Sequence, residues 1–361
     1  MQPIAPAEAA EHRAALLAWY ARHARDLPWR RHPSPWRIWL SEVMCQQTRI
    51  SSAIPYFERF VERFPTPAAL AEAELEAVYP YWAGLGYYAR ARNLHAAARQ
   101  VVAEHGGEVP ADPDAFGVLK GVGRYTRGAV QSIAFGHREP VVDGNVVRVL
   151  CRLLAVEADP RSAPVQRWLW ASAAALADGE RPGDLNQALM ELGATVCTPK
   201  SPTCLLCPLQ HACVARATGD PARLPLKPKR KAPKPVAVVA ALARDEAGAL
   251  WLARNPDAGL LGGQWRLPGL PGAGPEALAA LGLTATAGAP LTTVRHAFSH
   301  QRWTVAVYPA EGTPSGGGFT EFAAVPEADL DGLALGGPAL KALRALGLKV
   351  SARRGAGSSS G

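Results

Sequence analysis

Four of the six cysteines in this chain fall within residues 197–213, CTPKSPTCLLCPLQHAC. Their spacing, C-x6-C-x2-C-x5-C with Pro208 after the third, lets one compact loop turn Cys197, Cys204, Cys207 and Cys213 toward a common centre. A four-thiolate site suits either a tetrahedral zinc ion or an iron–sulfur cluster. Zinc loops more often carry paired C-x2-C knuckles, and here only Cys204 and Cys207 have that spacing, which favours the cluster but leaves zinc open. Such clustering, with Cys45 and Cys151 standing alone in apolar helical patterns, points to metal rather than disulfides.

Three further stretches hold residues suited to chemistry. In WRIWLSEVMCQQTRI, Glu42, Gln46 and Arg49 repeat at helical spacing beside the apolar stripe of Trp36, Trp39, Leu40, Val43 and Met44. A polar face of this kind is most often simply solvated. In LKGVGRYTRGAVQSIAFG, Gly121, Val122 and Gly123 form a tight turn running into a helix, where freed backbone amides cradle phosphate without reading a base. A lone GxG is usually an ordinary turn, but Lys120, Arg124 and Arg127 around it strengthen the phosphate reading. In VVDGNVVRVLCRLL, Asp143 precedes a glycine and an apolar helix; an N-cap explains it, and the positive helix end would help keep it ionised.

The elements that must position these groups form two blocks. A chain of 361 residues exceeds one ordinary core, so two domains are expected. Residues 8–215 read as mostly helical. LPLKPKRKAPKPV mixes prolines with Lys227, Lys229, Arg230, Lys231 and Lys234 and reads as an extended linker. Beyond it, VAVVAALARDEAGALWLARN has the pattern of a β-hairpin, PEALAALGL that of a short helix, and Trp303, Val305 and Val307 alternate with Thr304 and Ala306 as in a strand. The formal charge of +8 favours an anionic partner such as nucleic acid. No uninterrupted apolar run is long enough to cross a bilayer and the N-terminus lacks the pattern of a secretion signal, so a cytoplasmic protein with no membrane partner is expected.

Taken together, SEVMCQQT, PYWAGLGYYARARNLH, GVGRYT, VVDGNVVRVL, NQALMELGATVC and the cysteine spacing, in that order, closely resemble the helix-hairpin-helix DNA glycosylases with a cysteine loop, and among them the MutY-type adenine DNA glycosylases. LLGGQWRLPG and RHAFSH resemble, more weakly, the Nudix (MutT-like) domain attached to that family. The implied fold is a mainly α glycosylase domain over 1–223, including an iron–sulfur loop at 197–213, then a linker at 224–235. An α/β Nudix-like recognition domain over 236–351 and a disordered tail at 352–361 complete it.

The resemblance implies a base excision repair enzyme that hydrolyses the N-glycosidic bond of adenine mispaired with 8-oxoguanine, or less well guanine, in double-stranded DNA. It implies one 4Fe–4S cluster on the four cysteines, a monomer, and a nucleoid association if the source is bacterial. By the same analogy Glu42 protonates the adenine ring and Asp143 faces the sugar, oriented by Asn145 and Tyr125. Trp29, Arg30, Cys45 and Gln187 line the pocket for the extruded base. Gln47 and Tyr87, with Thr48 nearby, wedge into the stack, Lys120, Gly121, Val122 and Gly123 contact phosphate, and Phe298, Ser299 and His300 read 8-oxoguanine.

The chain departs from the family at Cys45, where Leu is common, and at Lys120, where Pro is usual. Endonuclease III-like lyases carry lysine at the position of Tyr125, so a monofunctional glycosylase is expected and the pyrimidine glycosylase–lyase is disfavoured. A DNA-binding scaffold without chemistry is the other alternative, and Glu42 and Asp143 argue against it. Only Glu276 stands where a working Nudix helix needs several glutamates, so nucleotide hydrolysis is not expected.

Overall fold

The structure is a computed structural model that describes residues 2–226, 232–257, 259–286 and 288–350. Most of the basic stretch of the expected linker and the expected disordered tail lie outside the described residues. Two compact units are present, one of Met1–Glu72 with Asn93–Lys229 and one of Ala73–Arg92 with Arg230–Gly361. The second unit thus takes in an internal segment of the helical half, a division that no boundary drawn along the chain contains. Among the described residues no helix is long and apolar enough to cross a membrane.

In the first unit the apolar stripe decides how helices pack. Within the Pro35–Cys45 helix, Trp39, Leu40 and Met44 are at most 1% exposed, and Trp39 meets Phe116 edge-on at 5.2 Å. Glu42 belongs to this helix, but the helix ends at Cys45. Gln46 therefore caps it and Arg49 precedes the Ile50–Arg63 helix, so the expected Glu42–Gln46–Arg49 face does not form. A second core joins Leu16, Trp19, Val149, Leu150, Leu189 and Leu192 from three further helices. Here Gly193 is needed for close approach, since a Cβ on it would lie 2.5 Å from the Asn145 Cβ.

Among its described residues the second unit carries two sheets. One has the order β4 (Gly269–Pro271), β1 (Lys234–Leu242), β7 (Gln301–Glu311), β5 (Thr284–Ala285), with β6 (Thr292–Ala297) also on the outer edge of β7. The other is β3 (Trp265–Arg266), β2 (Leu250–Arg254), β8 (Glu321–Val325). The expected 236–255 hairpin is therefore corrected: β1 and β2 lie in different sheets and meet only near the turn, where Trp251 N donates to Ala243 O at 3.0 Å. Val238 to Ala241 are all buried, so both faces of β1 need cover, and parallel pairing with β7 and antiparallel pairing with β4 supply its neighbours. β7 alternates as expected, with Val305 and Val307 in one core and Tyr308 and Ala310 in the other. PEALAALGL forms a 3-10 helix, Pro275–Leu281, rather than an α-helix, closed by Gly282 at φ 69°.

Candidate active site and cysteine loop

A cavity of about 1010 Å³ in the first unit gathers groups from distant points of the chain. Glu42 comes from the end of the Pro35–Cys45 helix, Tyr125 from the first turn of the Arg124–Phe135 helix, and Asp143 from the N-cap of Gly144–Leu153. Tyr125 Oη donates to Glu42 Oε2 at 2.6 Å. Asp143 acts as the expected cap, accepting from Asn145 N at 2.9 Å and Val146 N at 2.7 Å, while Asn145 Nδ2 donates to its other oxygen at 2.7 Å.

The two carboxyls lie in different electrostatic settings. Burial, with the charge of Asp143 adding to it, lifts the Glu42 pKa to about 7 against the opposing Tyr125 hydrogen bond and Arg30 charge. Burial also raises Asp143, but the three N–H donors and Arg148 pull it back toward the ionised form. Burial pushes Tyr125 well above the ordinary tyrosine range, so it remains a neutral donor. A protonated carboxyl beside a donor-held carboxylate is an acid–base arrangement.

Trp29, Arg30, Cys45 and Gln187 all line the same cavity. Arg30 Nε donates to Gln187 Oε1 at 2.9 Å and Nη2 to Glu191 Oε2 at 3.0 Å. Glu191 is 1% exposed and also pairs with Arg25. Burial alone would raise its pKa, yet the hydrogen bonds and charges of these two arginines bring it below the usual carboxylate range. Glu191 was not singled out from sequence, although its place four residues after Gln187 on one helix was a signal for a shared face.

The structure brings Gln47, Thr48, Gly121 and Gly123 to this cavity as well. Gln47 is exposed and stands in the left-handed region at φ 55°, a conformation uncommon for non-glycine residues. Gly121, at φ 79°, leaves no room for a Cβ, which would lie 2.6 Å from the Asn93 side chain. Lys120 is exposed and Val122 half-buried on the same turn, outside the cavity lining. Arg127 is engaged by Asp114 and Glu139 at 3.4 and 3.3 Å, and Arg124 stacks at 3.8 Å from the Trp170 ring centre. Those two cations are less free for phosphate than their sequence position suggested.

The remaining predicted DNA-reading residues lie in the second unit. Tyr87 sits at φ 51° and is 51% exposed. Ser299 and His300 are exposed at the turn between β6 and β7, closed by Phe298 N to Gln301 O at 2.8 Å. Phe298 packs against Trp303 at 5.1 Å and His296 at 4.6 Å. The backbone here is a strand-end turn, and it presents an exposed hydroxyl and imidazole.

Away from the carboxylates, Cys197, Cys204, Cys207 and Cys213 line one small cavity of about 20 Å³, and none forms a disulfide. Arg152, 1% exposed, braces the loop: Nη1 reaches Thr198 O at 2.7 Å and Cys197 Sγ at 3.3 Å, and Nη2 reaches Pro199 O at 3.1 Å. Four sulfurs on one cavity, one already accepting from a cationic donor, fit a thiolate-bound group. Among the described residues no three His, Cys, Asp or Glu side chains are drawn in as ligands around a single ion. One turn earlier on the same helix, Arg148 donates to Cys197 O and to Asn145 Oδ1, at 2.6 and 2.8 Å.

This architecture defines a class. Residues 40–174 match the family described as HhH-GPD superfamily base excision DNA repair protein, and residues 238–345 match the NUDIX domain. A thermostable thymine-DNA glycosylase superposes with a TM-score of 0.54 at 27% identity, over 58% of this chain and 97% of its own. An endonuclease III solved in a non-covalent DNA complex gives 0.50 at 25% identity, over 59% and 97%. The fold is therefore a helix-hairpin-helix DNA glycosylase domain with a C-terminal Nudix domain.

Within that class the chain belongs to the adenine DNA glycosylase family. The human member is 39% identical across 84% of this chain and 67% of its own length, and the Mycobacterium tuberculosis member 44% identical across 57% and 68%. The rat member is 48% identical across 62% of this chain, but the match spans only 45% of that longer protein.

Proposed function

We propose that this chain hydrolyses the N-glycosidic bond of adenine in duplex DNA where adenine is mispaired with 8-oxoguanine and, less well, with guanine. The observation that carries the reading is the Glu42–Tyr125–Asp143 group in one large cavity, with Glu42 near neutrality and Asp143 held by three N–H donors. An extruded adenine enters past Trp29 and meets the Arg30–Gln187–Glu191 edge. Glu42 gives its proton to the purine ring, the C1′–N9 bond breaks with its electron pair leaving on the base, and the positive sugar faces Asp143. Water then supplies the hydroxyl at C1′, and its other proton goes to a carboxylate of the site, which restores the acid. Because Tyr125 offers no amine for a Schiff base, strand cleavage is not part of the reaction.

On the DNA side, the Gly121–Gly123 turn at a helix N-terminus suits a phosphate, and Gln47 and Tyr87, both in left-handed backbone, suit insertion beside the extruded base. Phe298, Ser299 and His300 form the turn that would read 8-oxoguanine opposite. Cys197, Cys204, Cys207 and Cys213 would hold one 4Fe–4S cluster, whose contribution there is to stiffen the loop. Purified protein that is brown and contains iron and sulfide supports this; a colourless protein with a single zinc overturns it.

The central test is base release. The wild type should liberate adenine from an 8-oxoguanine:adenine duplex faster than from guanine:adenine, and Glu42→Gln should abolish release. Undiminished release by that variant removes Glu42 from its role, and borohydride trapping of a protein–DNA adduct restores the lyase alternative.

A further inference from the structure

An aromatic ring half in solvent on a left-handed backbone is costly for a folded chain, so Tyr87 is held there by contacts around it. Part of it is local. Arg90 lies 5.5 Å from the Tyr87 ring centre and 5.4 Å from that of Trp82, and its Nη2 donates to Gly86 O at 3.1 Å and to Leu85 O at 3.3 Å. The guanidinium thus sits inside the 85–87 turn as a strut.

A further part is supplied by the Nudix-like part of the same unit. Arg92 Nη1 donates to Gly262 O at 2.6 Å and Nη2 to Asp257 O at 3.1 Å. Arg254 Nη2 reaches back from β2 to Glu76 Oε1 at 2.9 Å. Tyr88, the buried neighbour of Tyr87, meets Tyr79 at 5.6 Å, and both border a cavity of about 50 Å³ closed by Leu330, Leu333, Leu335 and Leu340. The fit is close: a Cβ on Gly262 would lie 2.2 Å from Asp257 O and 3.0 Å from Arg92 Nη2. One face of the 73–92 segment is therefore a built joint, with two backbone carbonyls aimed at one guanidinium.

We propose that Arg92, supported by the Glu76–Arg254 pair, is a positioning residue that mounts the Tyr87 turn on the domain bearing Ser299 and His300. The inserting ring and the turn that reads the opposite base are then carried by one structural unit, and insertion is favoured when that turn is satisfied by its base. This rests on the recognition reading given above for Tyr87 and Ser299. The hydrogen bonds of Arg92 go to backbone carbonyls of its own unit.

The test compares wild type, Arg92→Ala and Arg92→Lys as full-length protein. Backbone amide hydrogen exchange over residues 84–92 in the free protein should accelerate in Arg92→Ala and less in Arg92→Lys, whose shorter ammonium reaches at most one of the two carbonyls. In single-turnover assays, the ratio of adenine release from 8-oxoguanine:adenine over guanine:adenine should fall by roughly tenfold in Arg92→Ala, within the range of interaction energies between contacting residues. Arg92→Lys should recover part of it. Faster exchange with an unchanged ratio would show the joint to be structural only and overturn the proposal, as would unchanged exchange. A wild type with no preference between duplexes would instead sink the recognition reading, and this inference with it, whatever the exchange arm showed.

Discussion

Glu42 and Asp143 are both carboxylates in one cavity, and what separates them is the number of N–H groups aimed at each. Glu42 has a hydroxyl donor and desolvation; Asp143 has three N–H donors at a helix start. With Glu42 near 7, its acid form is present below that pH and lost above it. The single-turnover rate should therefore fall as pH rises through about 7, and also fall at acid pH where Asp143 takes a proton, above the ordinary aspartate range because burial raises it. The Tyr125 hydrogen bond lowers the Glu42 pKa, so Tyr125→Phe should move the alkaline limb upward. A limb that stays in place would mean another group titrates there.

At the scale of elements, the Gly144–Leu153 helix carries a cap, an orienting amide and two arginines on successive turns, so one helix sets both the proposed sugar-facing carboxylate and the cysteine loop. Asp143 has two duties that a substitution separates. Asparagine caps helices about as well as aspartate, so Asp143→Asn should shift unfolding stability by less than about 1 kcal/mol. Adenine release should nonetheless fall by roughly a hundredfold or more, the scale of losing one charge-stabilising group. A comparable loss of stability and activity, followed by chemical denaturation and single-turnover release, would reduce Asp143 to a structural cap. The cap itself was legible in VVDGNVV, because the cue is local. The polar face after Glu42 was not, because helix termination at Cys45 and the left-handed Gln47 interrupt a periodicity that the residues alone appear to continue.

For the whole molecule, the grouping of Ala73–Arg92 with the C-terminal residues changes what a truncation removes. Deleting residues 236–361 takes away the Ser299 turn, and also Gly262, Arg254 and the leucines that cover Tyr79 and Tyr88. Discrimination between 8-oxoguanine and guanine opposite adenine should weaken while some excision persists, since the cavity of the first unit stays whole. The amides of 73–92 should exchange faster in the same protein. Equal loss of excision on both duplexes would contradict a recognition role for the domain.

The sequence by itself determined the chemistry available. Four cysteines on one short loop, Asp143 before a helix, glycines before another, and an apolar stripe beside Glu42 are local patterns, written in neighbouring residues and governed by capping, turn geometry and helical period. Only the tertiary structure decided which of these meet. Glu42, Tyr125 and Asp143 stand far apart in the chain and share a cavity because three helices pack through cores whose pairing no local rule encodes. The same holds for Glu191 between its two arginines, for the strands of an apparent hairpin parting into two sheets, and for Arg92 finding the carbonyl of Gly262. Burial then set the protonation of Glu42, because desolvation belongs to the packed molecule and not to the residue.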